Sequence, residues 1–157
     1  MKTIFLKFSI KGSKSKIIMV SKLENTTKSI VIPSSIEHIP EVEQFIDEVY
    51  NEYNFSKEIY GNVLISLLEL VNNAIVHGNK KNPEKQVTIS ALVEKDILVC
   101  RVRDEGNGFD FNNLPNPVAK ENIDKPFGRG IFFVKHLSDK CEFLNNGTTV
   151  EVHFNIK

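Results

Sequence analysis

Between Ser56 and Asn79 the chain carries the pattern that most restricts what it can fold into. Ile59, Val63, Leu64, Leu67, Leu70, Val71 and Ala74 recur at the spacing of one helix face. Ser56 is placed to cap the start, with Phe55 just before it. Gly78 and Asn79 predict the stop, after His77. A helix this apolar needs a second layer to bury it, so the chain must supply a sheet or further helices. Inside the same helix Glu69, Asn73 and His77 lie four residues apart and stack as a polar stripe.

The second layer is legible around it. Residues 29–32 read as a strand that ends at Pro33. Pro40 opens a helix whose apolar face is Val42, Phe45, Ile46 and Val49. Residues 86–93 and 97–102 read as two strands joined by a turn at Glu94, Lys95 and Asp96. A polar loop over 104–127 follows, long enough to suggest function. A helix over 128–137 comes next, then a hairpin of strands 141–144 and 148–156 around Asn145, Asn146 and Gly147.

Residues 1–27 stand apart as an arm. Two apolar runs, 4–10 and 17–20, flank a stretch of Lys, Ser and Gly, and Met19 offers a second possible start. The apolar run at the N-terminus is broken at Lys7, too early for a signal peptide, and no stretch approaches a membrane span. A cytoplasmic protein is expected, with no membrane partner. Its 20 basic and 20 acidic residues cancel, which gives no reason to expect direct nucleic-acid binding. Cys100 and Cys141 form no CxxC pair and read as reduced thiols.

Four features carry chemistry, and each has a plain structural alternative. The stripe of Glu69, Asn73 and His77 is either functional or a solvated helix face. Asp104, at a strand end before Gly106 and Gly108, either receives a donor or sits in a turn. Gly128, Arg129 and Gly130 open a helix whose free N–H groups suit phosphate, or form an ordinary loop-to-helix junction. Gly147, Thr148, Thr149 and Val150 begin the last strand, functionally or simply as a hairpin. No Walker loop and no GxGxxG spacing is present.

Taken in order, E-L-V-N-N-A-I-V-H-G, D-E-G-N-G, G-R-G-I-F-F-V and G-T-T-V resemble the N, G1, G2 and G3 boxes of the Bergerat-fold (GHKL) ATPases. The wording is most similar to the anti-sigma factor serine kinases, over residues 29–157. The resemblance implies a two-layer α/β sandwich, with helices on one face of a mixed, mainly antiparallel sheet, and an ATP-binding domain over 28–157. It implies that Asn73 coordinates Mg2+ through the nucleotide phosphates and that Glu69 is the base for the attacking hydroxyl. Asp104 matches the acceptor for the adenine amino group, Gly106 and Gly108 the glycines beside the base, and Thr148 an adenine-side threonine. Gly128 and Gly130 match the hinge and phosphate cradle, with residues 109–127 as a lid. Arg129 is the favoured γ-phosphate contact over Lys120 and Lys125, and His77 is taken as structural. A sigma factor, a STAS-domain antagonist and a homodimer are the implied partners. A non-catalytic nucleotide-dependent module and a detached histidine-kinase ATPase domain are the alternatives. The arm before Lys28 departs from the family pattern.

Overall fold

A computed structural model describes residues 27–111 and 129–157 of the 157-residue chain. The elements run β1 (Lys28–Pro33), α1 (Ile39–Tyr53), α2 (Lys57–Asn73), β2 (Gln86–Glu94), β3 (Ile97–Arg103), α3 (Arg129–Leu137), β4 (Lys140–Leu144) and β5 (Thr149–Asn155). A 3-10 turn, Ile36–His38, leads into α1, so that helix starts at Ile39 with Pro40 in its first turn. The Ser56 hydroxyl accepts the Ile59 N–H at 3.2 Å and caps α2, as expected. Asn54, left-handed at φ 50°, closes α1 by donating its N–H to the Tyr50 carbonyl at 2.7 Å. The Tyr60 hydroxyl donates to Asp47 Oδ1 at 2.6 Å and ties the two helices together.

The five strands lie in the order β1-β2-β3-β5-β4. Every pairing among the described residues is antiparallel, so the sheet is simpler than the mixed one expected. Lys95 and Asp96, at φ 48° and 71°, form the left-handed two-residue turn that matches the twist of β2 and β3. Register places Ile89, Val102 and Val150 in one row and Ala91, Cys100 and Val152 in the next, all on the helix side. Against them pack Val63, Leu67, Leu70 and Val71 of α2 and Val42, Phe45, Ile46 and Val49 of α1. Each such side chain contributes on the order of 1.5–3 kcal/mol on leaving water. The α2 segment Lys57–Gly78 is long and apolar enough to cross a membrane by composition, yet its apolar side is taken up by this core.

On the opposite face Glu151 is buried between Arg101 Nε and His153 Nε2, the latter at 2.7 Å. Burial acts to raise its carboxyl, but these two partners outweigh it and hold the group below its usual range. Both cysteines are free thiols, and burial pushes Cys100 up to about 12.

Candidate functional site

The regular helix of α2 ends four residues sooner than the periodicity predicted. At Ala74 the backbone widens into a π-helical turn, Ala74–Gly78, closed by the Asn79 N–H on the Ala74 carbonyl at 2.7 Å. His77 therefore does not continue the straight stack of Glu69 and Asn73. Such wide turns recur at functional sites because they re-aim side chains.

Asn79 holds this turn in place. It is buried, its Nδ2 donates to the Gln86 carbonyl at 2.9 Å, and its Oδ1 accepts the Glu105 N–H at 2.8 Å. One side chain thus binds the end of the helix to the start of β2 and to the loop after β3. Glu105 closes the junction by accepting the Gln86 N–H at 2.8 Å, while Lys85 donates to the Glu105 carbonyl at 3.0 Å.

The junction brings two glycines against one acid. The Asp104 carboxylate accepts the Gly106 N–H at 2.7 Å. A Cβ on Gly78 would fall 2.6 and 2.7 Å from its two oxygens, and a Cβ on Gly106 would strike the Gly78 carbonyl. Gly108, at φ 75°, passes so close to the Asn146 carbonyl that no side chain fits there. The Phe109 N–H bonds the same carbonyl at 3.1 Å. Half-burial of Asp104 raises its carboxyl, opposed by the Gly106 N–H and by the charge of Lys85.

These parts enclose a cavity of about 310 Å³ between α2, β3, β5 and the start of α3. Its walls are largely apolar, from Leu70, Ala74, Val102, Ile131, Val150 and Phe109. Asp104, Asn73, Gly108 and Gly130 also belong to the lining. Beside Asn73, a Cβ on Gly130 would strike the Glu69 carboxylate and come 3.5 Å from Asn73 Nδ2. Gly130 is the second residue of α3, so Glu69 and Asn73 stand at that helix's positive end.

Of the residues predicted from the sequence, Asn73, Asp104, Gly108 and Gly130 line the cavity together. Glu69 and Gly106 are not among the lining residues but adjoin it, at Gly130 and at Asp104. Thr148 is not among the lining residues. Its hydroxyl donates to the Asn145 carbonyl at 2.9 Å, and its own carbonyl accepts the Asp104 N–H at 3.0 Å. Arg129 opens α3 with an exposed side chain, also outside the lining. Gly128, Lys120 and Lys125 lie outside the described residues, as do 112–127 of the expected lid and 1–26 of the arm.

Sequence reasoning set His77 aside and took Phe109 only as the first lid residue, yet both line the cavity. It missed Asn79, which looked like part of a helix stop. The signal available was a polar residue directly after that stop.

The pattern of donors suits a definite class of ligand. A half-buried acceptor in a largely apolar cavity fits an apolar-faced base bearing an amino group. A side-chain amide beside a helix N-terminus fits phosphates and a hard, oxygen-ligated cation.

Comparison with known proteins agrees with this description. The family described as histidine kinase-like ATPase domain matches residues 32–154. The anti-sigma F factor of Bacillus cytotoxicus is 33% identical over 90 residues, 54% of this chain and 61% of that protein. This chain therefore spans less than two thirds of that relative. The serine-protein kinase RsbW of Bacillus cereus is 28% identical over 126 residues, 76% of this chain and 78% of that one. A crystal structure of the RsbU and RsbW domains of a Mycobacterium tuberculosis protein superposes with a TM-score of 0.58 over 82% of this chain and 31% of that one. At 14% identity that likeness is one of fold.

Proposed function

From the premise that this chain belongs to the histidine kinase-like ATPase domain family, we propose that it is an ATP-binding anti-sigma regulator with serine/threonine kinase activity. Its substrate in this proposal is a STAS-domain antagonist, its other partner is a sigma factor, and it works in the cytoplasm as a homodimer. The relatives named anti-sigma F factor and serine-protein kinase RsbW support the pairing of the two roles. The observation that carries it is one cavity lined by Asp104, Asn73 and Gly130, with Glu69 against that glycine.

Mg-ATP would supply the transferable phosphoryl group. The chain's own residues then have separable tasks. Asp104 accepts the amino group of the base, and a carboxylate there disfavours a base presenting a carbonyl. Gly106 and Gly108 let the backbone pass close to the base, and Thr148, through its carbonyl bond to the Asp104 N–H, steadies the acid. Asn73 would help hold a hard cation through its side-chain oxygen, and that cation would supply charge for the phosphates. Gly130 leaves room at the start of α3, Gly128 is the other glycine assigned to the phosphate cradle, and Arg129 is the favoured contact for the terminal phosphate. Glu69, against Gly130 at the start of α3, takes the proton of the incoming serine or threonine hydroxyl. Most of the work is positioning and charge stabilisation, as phosphoryl transfer requires.

The test is to load the full chain with Mg-ATP or Mg-ADP in lysate of its native organism, recover bound proteins and map their phosphosites. The expected result is a co-purifying sigma factor together with a STAS-domain protein that gains phosphoserine or phosphothreonine under ATP only. Nucleotide-dependent partners without a new phosphosite would instead make the chain a binding module.

A further inference from the structure

Helix α1 carries five acidic residues and no basic one in its sequence IPEVEQFIDEVYNEY. Glu43 and Asp47 are spaced i,i+4, as are Glu48 and Glu52, and like charges at that spacing oppose the helix. Glu48 and Glu52 also stand toward the C-terminal end, where the helix dipole is already negative. All five are exposed, although Glu41 pairs with His38, Asp47 accepts the Tyr60 hydroxyl and Glu52 pairs with Lys28. A helix that keeps such a surface is stabilised when cations are held beside it.

The segment before the fold carries an excess of cations. Residues 1–26 contain six lysines and a single acid, Glu24. Because the whole chain sums to zero, the remainder carries the opposing five negative charges. The segment also joins the fold at the right corner. Lys28, the first residue of β1, pairs with Glu52 at 2.6 Å, so the chain enters at the C-terminal end of α1. Glu48 acts on the same lysine, and both acids raise its ammonium above the usual range. Reach is ample: α1 is roughly 22 Å long, whereas 26 residues can span up to roughly 86 Å.

We propose that the exposed acidic face of α1 is the docking surface for the lysine-rich segment 1–26 of the same chain. The attraction is between exposed charges, so it weakens as salt shortens the screening length. The proposal does not depend on the nucleotide site, which lies at other elements.

Zero-length carbodiimide coupling of the full chain tests it, with labelled and unlabelled chains mixed so that mass spectrometry separates links within a chain from links between chains. Lysines of residues 1–26 should couple to Glu43 and Glu48 within one chain, with yield falling several-fold between low salt and about 0.5 M salt. Coupling only to carboxylates outside α1, coupling only between chains, or no coupling overturns the proposal. The pair Glu43→Lys and Glu48→Lys should remove these links without changing the far-ultraviolet circular dichroism. Adding Lys11→Glu and Lys14→Glu to that variant should restore links in the reversed sense; failure to restore them overturns it too.

Discussion

Gly78 is pressed against the carboxylate of Asp104, both oxygens of which lie within 2.7 Å of where a Cβ would stand. Aspartate is short and its carboxylate is already engaged by the Gly106 N–H, so it cannot swing far aside. Gly78→Ala should therefore force the π-helical turn and the β3 loop apart. We expect a loss of roughly 1–3 kcal/mol in stability and at least about tenfold weaker ADP binding, since a 1.4 kcal/mol misfit is already tenfold. Urea unfolding and calorimetric titration measure the two effects. A variant with unchanged binding would show that the two backbones are not held as described.

Asp104→Asn separates the acid's cost from its use. Because burial raises the carboxyl in the folded protein, its contribution to stability is fully present below the unfolded value, about 3.9, and is lost as pH rises through the folded one. At neutral pH the ionised group is therefore a burden on the unliganded fold. The asparagine variant keeps an acceptor for the Gly106 N–H and should be as stable as the parent, or more so, at pH 7. Its stability should also lack the parent's decline as pH climbs from about 4. Nucleotide binding should weaken sharply, because a neutral amide is a poorer acceptor for an amino donor. A fall in stability at pH 7 would contradict the reading of the buried, ionised carboxylate as a burden on the fold.

Glu69→Gln tests the proposed base without opening a hole beside Gly130. The amide is nearly isosteric with the carboxylate, so α3 should stay docked. It cannot take a proton at neutral pH. Phosphotransfer to the antagonist should fall by about 10²–10⁴-fold, while ATP affinity stays within a few-fold of the parent. Comparable losses in both would recast Glu69 as a support for α3.

The sequence was legible where one signal decided the outcome. The α2 periodicity, the Ser56 cap and the short apolar runs of the strands gave the elements and much of the core, because one face of each must be buried. Asp104, Gly108, Asn73 and Gly130 were legible as a set because their order along the chain matched a known pattern, although no single motif was decisive. What could not be read was the junction. A straight helix to His77 satisfies the periodicity as well as a widened turn does. The choice falls to hydrogen bonds with Gln86 and Glu105, residues that pattern does not connect to the helix. Phe109 was hidden for a related reason. Its ring meets Gly147 and Phe143, partners supplied by the distant hairpin.

Asn79→Ala addresses that junction directly. The substitution removes the Nδ2 donor from the Gln86 carbonyl and the Oδ1 acceptor from the Glu105 N–H. At a buried position, water cannot readily replace either partner. Leaving such groups unsatisfied costs about 1–3 kcal/mol each, so a total loss of roughly 2–4 kcal/mol is expected once the two ends relax. Asn79→Asp keeps the acceptor but loses the donor and should fall between the parent and the alanine variant. Because the junction also sets where Gly78 meets Asp104, ADP binding should weaken in the same order. Hydrogen exchange should report the cause, with faster exchange at the Glu105 amide and at Asn79 itself, and little change in the β4–β5 pairing. A uniform increase across the sheet would mean that Asn79 supports the whole fold and not this corner of it.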